Sequence, residues 1–162
     1  DRALFDHEMK LIREYLDISR LHYPDAFTFS CQIDPLLSHV RIPPLLLHGF
    51  VENIIQHALV PDHTVHIIIY GEYEDGIVTI QIADDGIGMN EEDTALINSG
   101  DFSSSPEGSH VGIKNAVLRL KHFYGEKSSI TVESEPDSGT IFTITIPYNL
   151  TEVSDDEFIN GE

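Results

Sequence analysis

A two-layer α/β sandwich, with helices laid on a mixed and largely antiparallel sheet, is the architecture this sequence implies. Two periodicities point to it. Residues 1–22, 45–59 and 111–124 carry apolar side chains at helical spacing, while AFTFSCQI, VHIIIYGEYE, GIVTIQIADD, SSITVESE and TIFTITIPY alternate or concentrate β-branched residues as strands do. Glycine, proline, aspartate and asparagine punctuate the junctions. At 162 residues the chain suits one domain with one core.

The elements follow in order. Leu4, Phe5, Met9, Ile12, Leu16 and Leu21 make the apolar face of a first helix, which Pro24 stops. Beginning so far into a helical pattern, it reads as the continuation of an upstream helix. AFTFSCQI is a strand. Pro43 and Pro44 open a second helix, LLLHGFVENIIQHAL, ended by Pro61. Two β-rich runs flank Glu74-Asp75-Gly76, a hairpin signal. Residues 90–111 hold Gly, Ser, Asn and Pro with weak periodicity and predict a long mobile loop, a length usually reserved for function. VGIKNAVLRLKHFYG is a helix ended by Gly125, and two strands close the chain around Pro136-Asp137-Ser138-Gly139. The tail TEVSDDEFINGE predicts a solvated, poorly ordered end.

Charge narrows the partners. With 28 acidic against 9 basic residues the net charge is −19, which repels nucleic acid and anionic lipid, so neither is expected as a direct partner. No apolar run approaches the roughly 18 residues of a membrane span. The charged opening DRALFDHEMK is unlike a signal peptide, and the single Cys31 cannot close an internal disulfide. These features predict a cytoplasmic setting.

Three segments carry chemistry. In GFVENIIQHAL, Glu52 and Gln56 share one helix face and Asn53 and His57 another, each pair one turn apart. An Asn carbonyl suits Mg²⁺, which takes few protein ligands and completes its shell with substrate phosphates. An ordinary amphipathic helix with a polar stripe fits the same residues. In IADDGIGM, Asp84 ends a strand where its carboxylate would accept from an exocyclic amine such as adenine N6, and Gly86 and Gly88 let the backbone turn tightly. A plain Asp-Gly turn fits equally. In GSHVGIKN a glycine-bearing loop enters a helix whose first amides would receive an anion, although glycine before a helix is common.

Order and spacing together say more than any segment alone. An Asn-bearing helix, a strand ending in DxGxG, a long loop, a glycine-started helix and SGT opening a strand resemble the GHKL superfamily of gyrase, the large heat-shock chaperone, histidine kinases and MutL. Its Bergerat nucleotide-binding fold would cover about residues 40–148. Within it, PPLLLHGFVENIIQHAL resembles the N-box of LytS-type sensor histidine kinases, PPLLLQPLVENAIKHG, and EMKLIREYLDISRLHYPDAFTFSCQID resembles the stretch before it.

The resemblance implies a set of roles. Asn53 would coordinate Mg²⁺ bridging the ATP phosphates, with Glu52 supporting the metal's waters or the reacting phosphate; these two are the candidate catalytic residues. Asp84 would hold adenine N6, Gly86 and Gly88 shape the pocket floor, and Thr140 bond the adenine region. Gln56, His57, Gly112 and Asn115 would lie near the phosphates, and residues 90–111 would be the ATP lid. Residues 1–22 would lead from a dimerisation region bearing the phosphoacceptor histidine, residues 23–150 would be the catalytic domain and residues 151–162 an acidic tail. The implied partners are that acceptor domain and a response regulator, with the full-length protein a homodimer in the membrane and this part cytoplasmic.

Four departures stand out. Gln56 replaces a usual Lys, His48-Gly49 replaces Gln-Pro, Ala58 replaces a glycine, and His110 takes the first glycine of a GxG, with Gly108 two residues earlier. Losing a cation near phosphate predicts weaker ATP binding, by about 1–2 kcal/mol. A nucleotide sensor without phosphotransfer is the alternative those changes suggest. A self-sufficient GHKL ATPase would need a glutamate where Gly49 stands. Of the nine histidines, His7-Glu8 only superficially resembles an acceptor pair, His57 has no second His at zinc spacing, and His63 and His66 flank a strand start and are expected to face solvent.

Overall fold

The alternating runs assemble into one five-stranded sheet, β2 (Phe27–Ile33), β4 (Val65–Glu74), β5 (Ile77–Asp84), β7 (Thr140–Pro147) and β6 (Ser129–Ser134), in the spatial order β2-β4-β5-β7-β6. This is a computed structural model, and it describes residues 3–103, 105 and 110–150. The β2–β4 pair is parallel and the other three pairs are antiparallel. A mixed, largely antiparallel sheet was the sequence expectation, and it holds. Ile67, Ile69, Ile80, Ile82, Ile144 and Ile146 point to one face and are fully buried. On the other face His66, Tyr70 and Ile141 are exposed.

Three helices cover the apolar face: α1 (Phe5–His22), α2 (Leu46–His57) and α4 (Val111–Tyr124). Short strands β1 (Ala3–Leu4) and β3 (Arg41–Ile42) pair antiparallel beside them. Phe5, Ile12 and Leu16 of α1 share one core with Leu47 and Val51 of α2, so packing does not divide the chain at residue 22. The turn after β4 places Asp75 and Gly76 at φ 50° and 79°, the paired left-handed geometry that favours a tight hairpin. Among the described residues no helix is long and apolar enough to cross a membrane.

Two details depart from the sequence reading. The prolines precede α2 without forming its first turn: Leu45 sits at φ 61° and the helix begins at Leu46. Its free amides are met from another helix. Glu8, fully buried on α1, accepts from the N–H of Leu45 (3.1 Å) and of His48 (3.0 Å). A carboxylate at that position also complements the helix dipole. Glu8→Ala is expected to cost about 3 kcal/mol, through orphaned amides and a buried void, and denaturant unfolding would read it.

Residues 90–111 are also not a bare loop. They contain α3 (Glu91–Ser99), capped by the Asn90 side chain accepting from Asp93 N–H at 2.8 Å and ended by Gly100 at φ 68°. Asn98 braces it on the sheet edge, donating to Val132 O at 2.9 Å and accepting from Val132 N–H at 2.7 Å. Gly108 and the acidic tail 151–162 lie outside the described residues.

Candidate nucleotide site

The strand pairing itself builds one end of a cleft. Asp84 closes β5 and Thr140 opens β7, and they are direct cross-strand partners. Both are buried, Asp84 at 8% exposure and Thr140 at 6%. Asp84 Oδ1 accepts from Gly86 N–H at 2.9 Å, leaving Oδ2 without a donor among the described residues. Burial pushes this carboxyl up to about 6; the Gly86 amide pulls the other way and the neighbouring Asp85 charge adds to the rise. Ser134 fixes its neighbour: its hydroxyl donates to Gly139 O at 2.6 Å and lies 2.9 Å from Thr140 Oγ1.

The turn after Asp84 is pinned on both sides. Ile87 N–H donates to Ala58 O at the end of α2 (3.1 Å), and Ile87 O accepts from Asp137 N–H (2.7 Å). So little space remains that a Cβ on Gly86 would sit 2.1 Å from Ala58 O, and one on Gly88, at φ 70°, 2.0 Å from Glu135 O. These glycines dock the strand end against α2 on one side and the β6–β7 turn on the other.

A cleft of about 470 Å³ opens here, lined by Asp84, Gly88, Thr140, Asn53, His57 and Gly112 with apolar walls from Met89, Ile113 and Phe142. An adjoining space of about 450 Å³ runs between α2 and α4 past Glu52, Gln56, Asn115 and Arg119. The two share Asn53, His57, Gly112 and Ile113. Every residue given a catalytic or binding role from sequence lines one or both, except Gly86, which lies behind Asp84 as packing. One end therefore offers a buried acceptor and a hydroxyl beside an apolar slot, and the other a polar channel.

The polar end is ordered from α1. Tyr15 packs on the His48 ring (centroids 4.9 Å apart), His48 Nδ1 lies 3.7 Å from Glu52 Oε2, and Glu52 Oε1 accepts from Gln56 Nε2 at 3.1 Å. Asn53 has an exposed side chain with no hydrogen bond to another described residue. Among the described residues no three His, Cys, Asp or Glu side chains cluster to hold a metal. A cation here would take one amide oxygen from the protein and the rest of its shell from phosphate and water, which fits Mg²⁺ and not zinc.

Sequence reasoning missed two contributors, Ser134 and Arg119, and noted a third, His110, only as a departure from glycine. Ser134 carried no motif. Arg119 lies one turn past Asn115, a helical spacing that would have placed it. His110 adopts the left-handed φ of 54° where the expected motif has glycine, and its Nε2 lies 3.0 Å from Asp93 Oδ1, joining α3 to the start of α4 at the cleft's rim. His7, His63 and His66 are solvent-exposed.

Known proteins share the chain's sequence pattern and fold. Residues 44–150 match the model of the histidine kinase-, DNA gyrase B-, and HSP90-like ATPases. The chain is 31% identical over 148 residues to the sensor histidine kinase YesM of Bacillus subtilis, covering 91% of this chain and 24% of YesM. It is 28% identical over 150 residues to the sensor histidine kinase/phosphatase LytS of Staphylococcus aureus, covering 91% and 25%. The chain thus spans about a quarter of these relatives' length. In fold it is similar to the catalytic domain of histidine kinase ThkA (TM-score 0.66, 16% identity, 94% of this chain and 97% of that one). It is also similar to the histidine kinase domain of the Erythrobacter litoralis EL346 blue-light-activated kinase (TM-score 0.61, 21% identity, 91% and 64%). With the matched segment spanning the α2 helix, the Asp84 turn, α4 and the closing strands, the chain belongs to the histidine kinase-, DNA gyrase B-, and HSP90-like ATPase family.

Proposed function

We propose that this chain binds Mg-ATP in the cleft and presents the γ-phosphoryl group to a histidine on a dimerisation region of a larger sensor kinase. The observation that carries the reading is the joining of the two spaces at Asn53 and Gly112, with a purine-sized acceptor site on one side and a polar channel on the other. Asp84 and Thr140 hold the adenine edge, and Met89, Ile113 and Phe142 pack on its ring faces. Asn53 and the first amides of α4 face the phosphates, with Glu52 held in line by Gln56 and His48. Bound Mg²⁺ would supply charge neutralisation at the phosphates. Positioning and neutralisation are most of what phosphoryl transfer asks of a protein. The remaining partners of this reading are a response regulator and a second copy of the full-length protein, at the cytoplasmic side of a membrane.

A nucleotide sensor without transfer is the second reading, favoured by neutral Gln56 and by His110 in place of glycine. Supplying γ-labelled ATP and a fragment bearing the dimerisation helices separates the two. Labelled histidine is the expected result, and tight ATP binding without label would favour the sensor. Calorimetric titration with ATP should also show a Mg²⁺ dependence that disappears in Asn53→Ala. A dependence that survives removes Asn53 from the metal's shell.

A further inference from the structure

The channel between α2 and α4 has an electrostatic gap. The chain carries −19, the ligand brings further negative charge, and Gln56 is neutral and already bonded to the Glu52 carboxylate. Yet among the described residues the channel holds one full cation. Among the described residues lining it, Arg119 alone is Lys or Arg.

Arg119 is half-buried on α4, one turn past Asn115 and on the same face. Its Nη2 donates to Pro44 O, just ahead of α2. That bond uses one of the guanidinium's five N–H donors and fixes the group between the two helices. A planar fork already held in place loses little freedom when it meets phosphate oxygens. Half-burial strengthens its pull on an anion compared with a surface lysine.

We propose that Arg119 is the phosphate-facing cation of this cleft, engaging the terminal phosphates of the nucleotide from α4 in place of a cation from position 56. The inference rests on the Mg-ATP reading. A competing role is purely structural, a tie between α4 and the start of α2 through Pro44.

Calorimetry with ATP, ADP and adenosine distinguishes them, using the native chain, Arg119→Gln, and Arg119→Gln combined with Gln56→Lys. Arg119→Gln is expected to weaken ATP by about tenfold or more and ADP by less, with adenosine affinity unchanged. Lysine at position 56 in the same chain should restore most of the ATP affinity, because the charge is returned to the channel from α2. Unchanged ATP affinity in Arg119→Gln, or ATP and adenosine weakened alike, would overturn the proposal while the native chain still binds nucleotide. Failure of the native chain to bind any of the three would overturn the Mg-ATP reading and this inference with it.

Discussion

Asp84→Asn is expected to weaken nucleotide binding by about 30–100-fold, or 2–3 kcal/mol, without lowering the protein's stability at neutral pH. The binding loss follows from donor counting. Asp84 accepts the Gly86 N–H on Oδ1, and in the proposed Mg-ATP reading its Oδ2 would take the adenine amine. An asparagine that keeps the Gly86 bond turns its own NH₂ toward that amine; flipped, it turns the NH₂ toward the Gly86 amide. Either way two donors face each other in a buried place. Stability moves the other way. The folded carboxyl titrates near 6 against an ordinary 3.8, so the folded state holds this proton more tightly than the unfolded chain. Native stability therefore falls as pH rises from about 4 to about 6, and the penalty persists above that. Asparagine carries no such penalty, so its melting temperature at pH 7 should equal or exceed the native value, the difference closing below about pH 4. Carbon-13 titration of the Asp84 carboxyl should give an apparent value near 6 that drops when nucleotide binds. Unaltered ATP affinity in Asp84→Asn would end the adenine role.

How much of this was legible in the sequence depends on the reach of each interaction. The Asp75-Gly76 turn, the strand alternation and the helical stripe of α2 are local, and local chemistry specified them. The meeting of Asp84 with Thr140 is distant in sequence, yet motif order announced it, because both ends of the cleft are built from elements with their own signatures. What stayed hidden depended on partners far along the chain. The α2 amides are capped by Glu8 from another helix, and no residue near Leu45 hints at it. Parallel pairing of β2 with β4 across α2 is a matter of connection handedness, not of either strand's composition. The α3 helix is different, since its signal was present and unread. Asn90 followed by Glu91, Glu92 and Asp93 is an N-cap with an acidic first turn. Weak apolar periodicity masked it, because α3 braces the sheet edge through Asn98 and buries little besides Ile97.

Two glycines that look alike in the sequence should behave in opposite ways. Gly88→Ala is expected to destabilise the fold by about 3 kcal/mol or more and to abolish nucleotide binding. Its φ of 70° disfavours any L side chain, and the added Cβ would meet the Glu135 carbonyl oxygen at 2.0 Å. That oxygen belongs to backbone, next to the turn where Asp137 N–H holds Ile87 O at 2.7 Å, so relief would require moving the pocket floor itself. Gly112→Ala meets nothing within 4 Å and lies inside α4. Alanine there should leave the denaturant midpoint unchanged or raise it, by up to about 1 kcal/mol, since alanine is the better helix former. Its effect on ATP should nevertheless be a loss. If phosphates approach the backbone at the start of α4, the new methyl occupies their place, and affinity for ATP falls while adenosine is spared. A Gly112→Ala chain that binds ATP as the native one does would mean that the phosphates run elsewhere in the channel, and the assignment of that helix end would fail with the fold left intact.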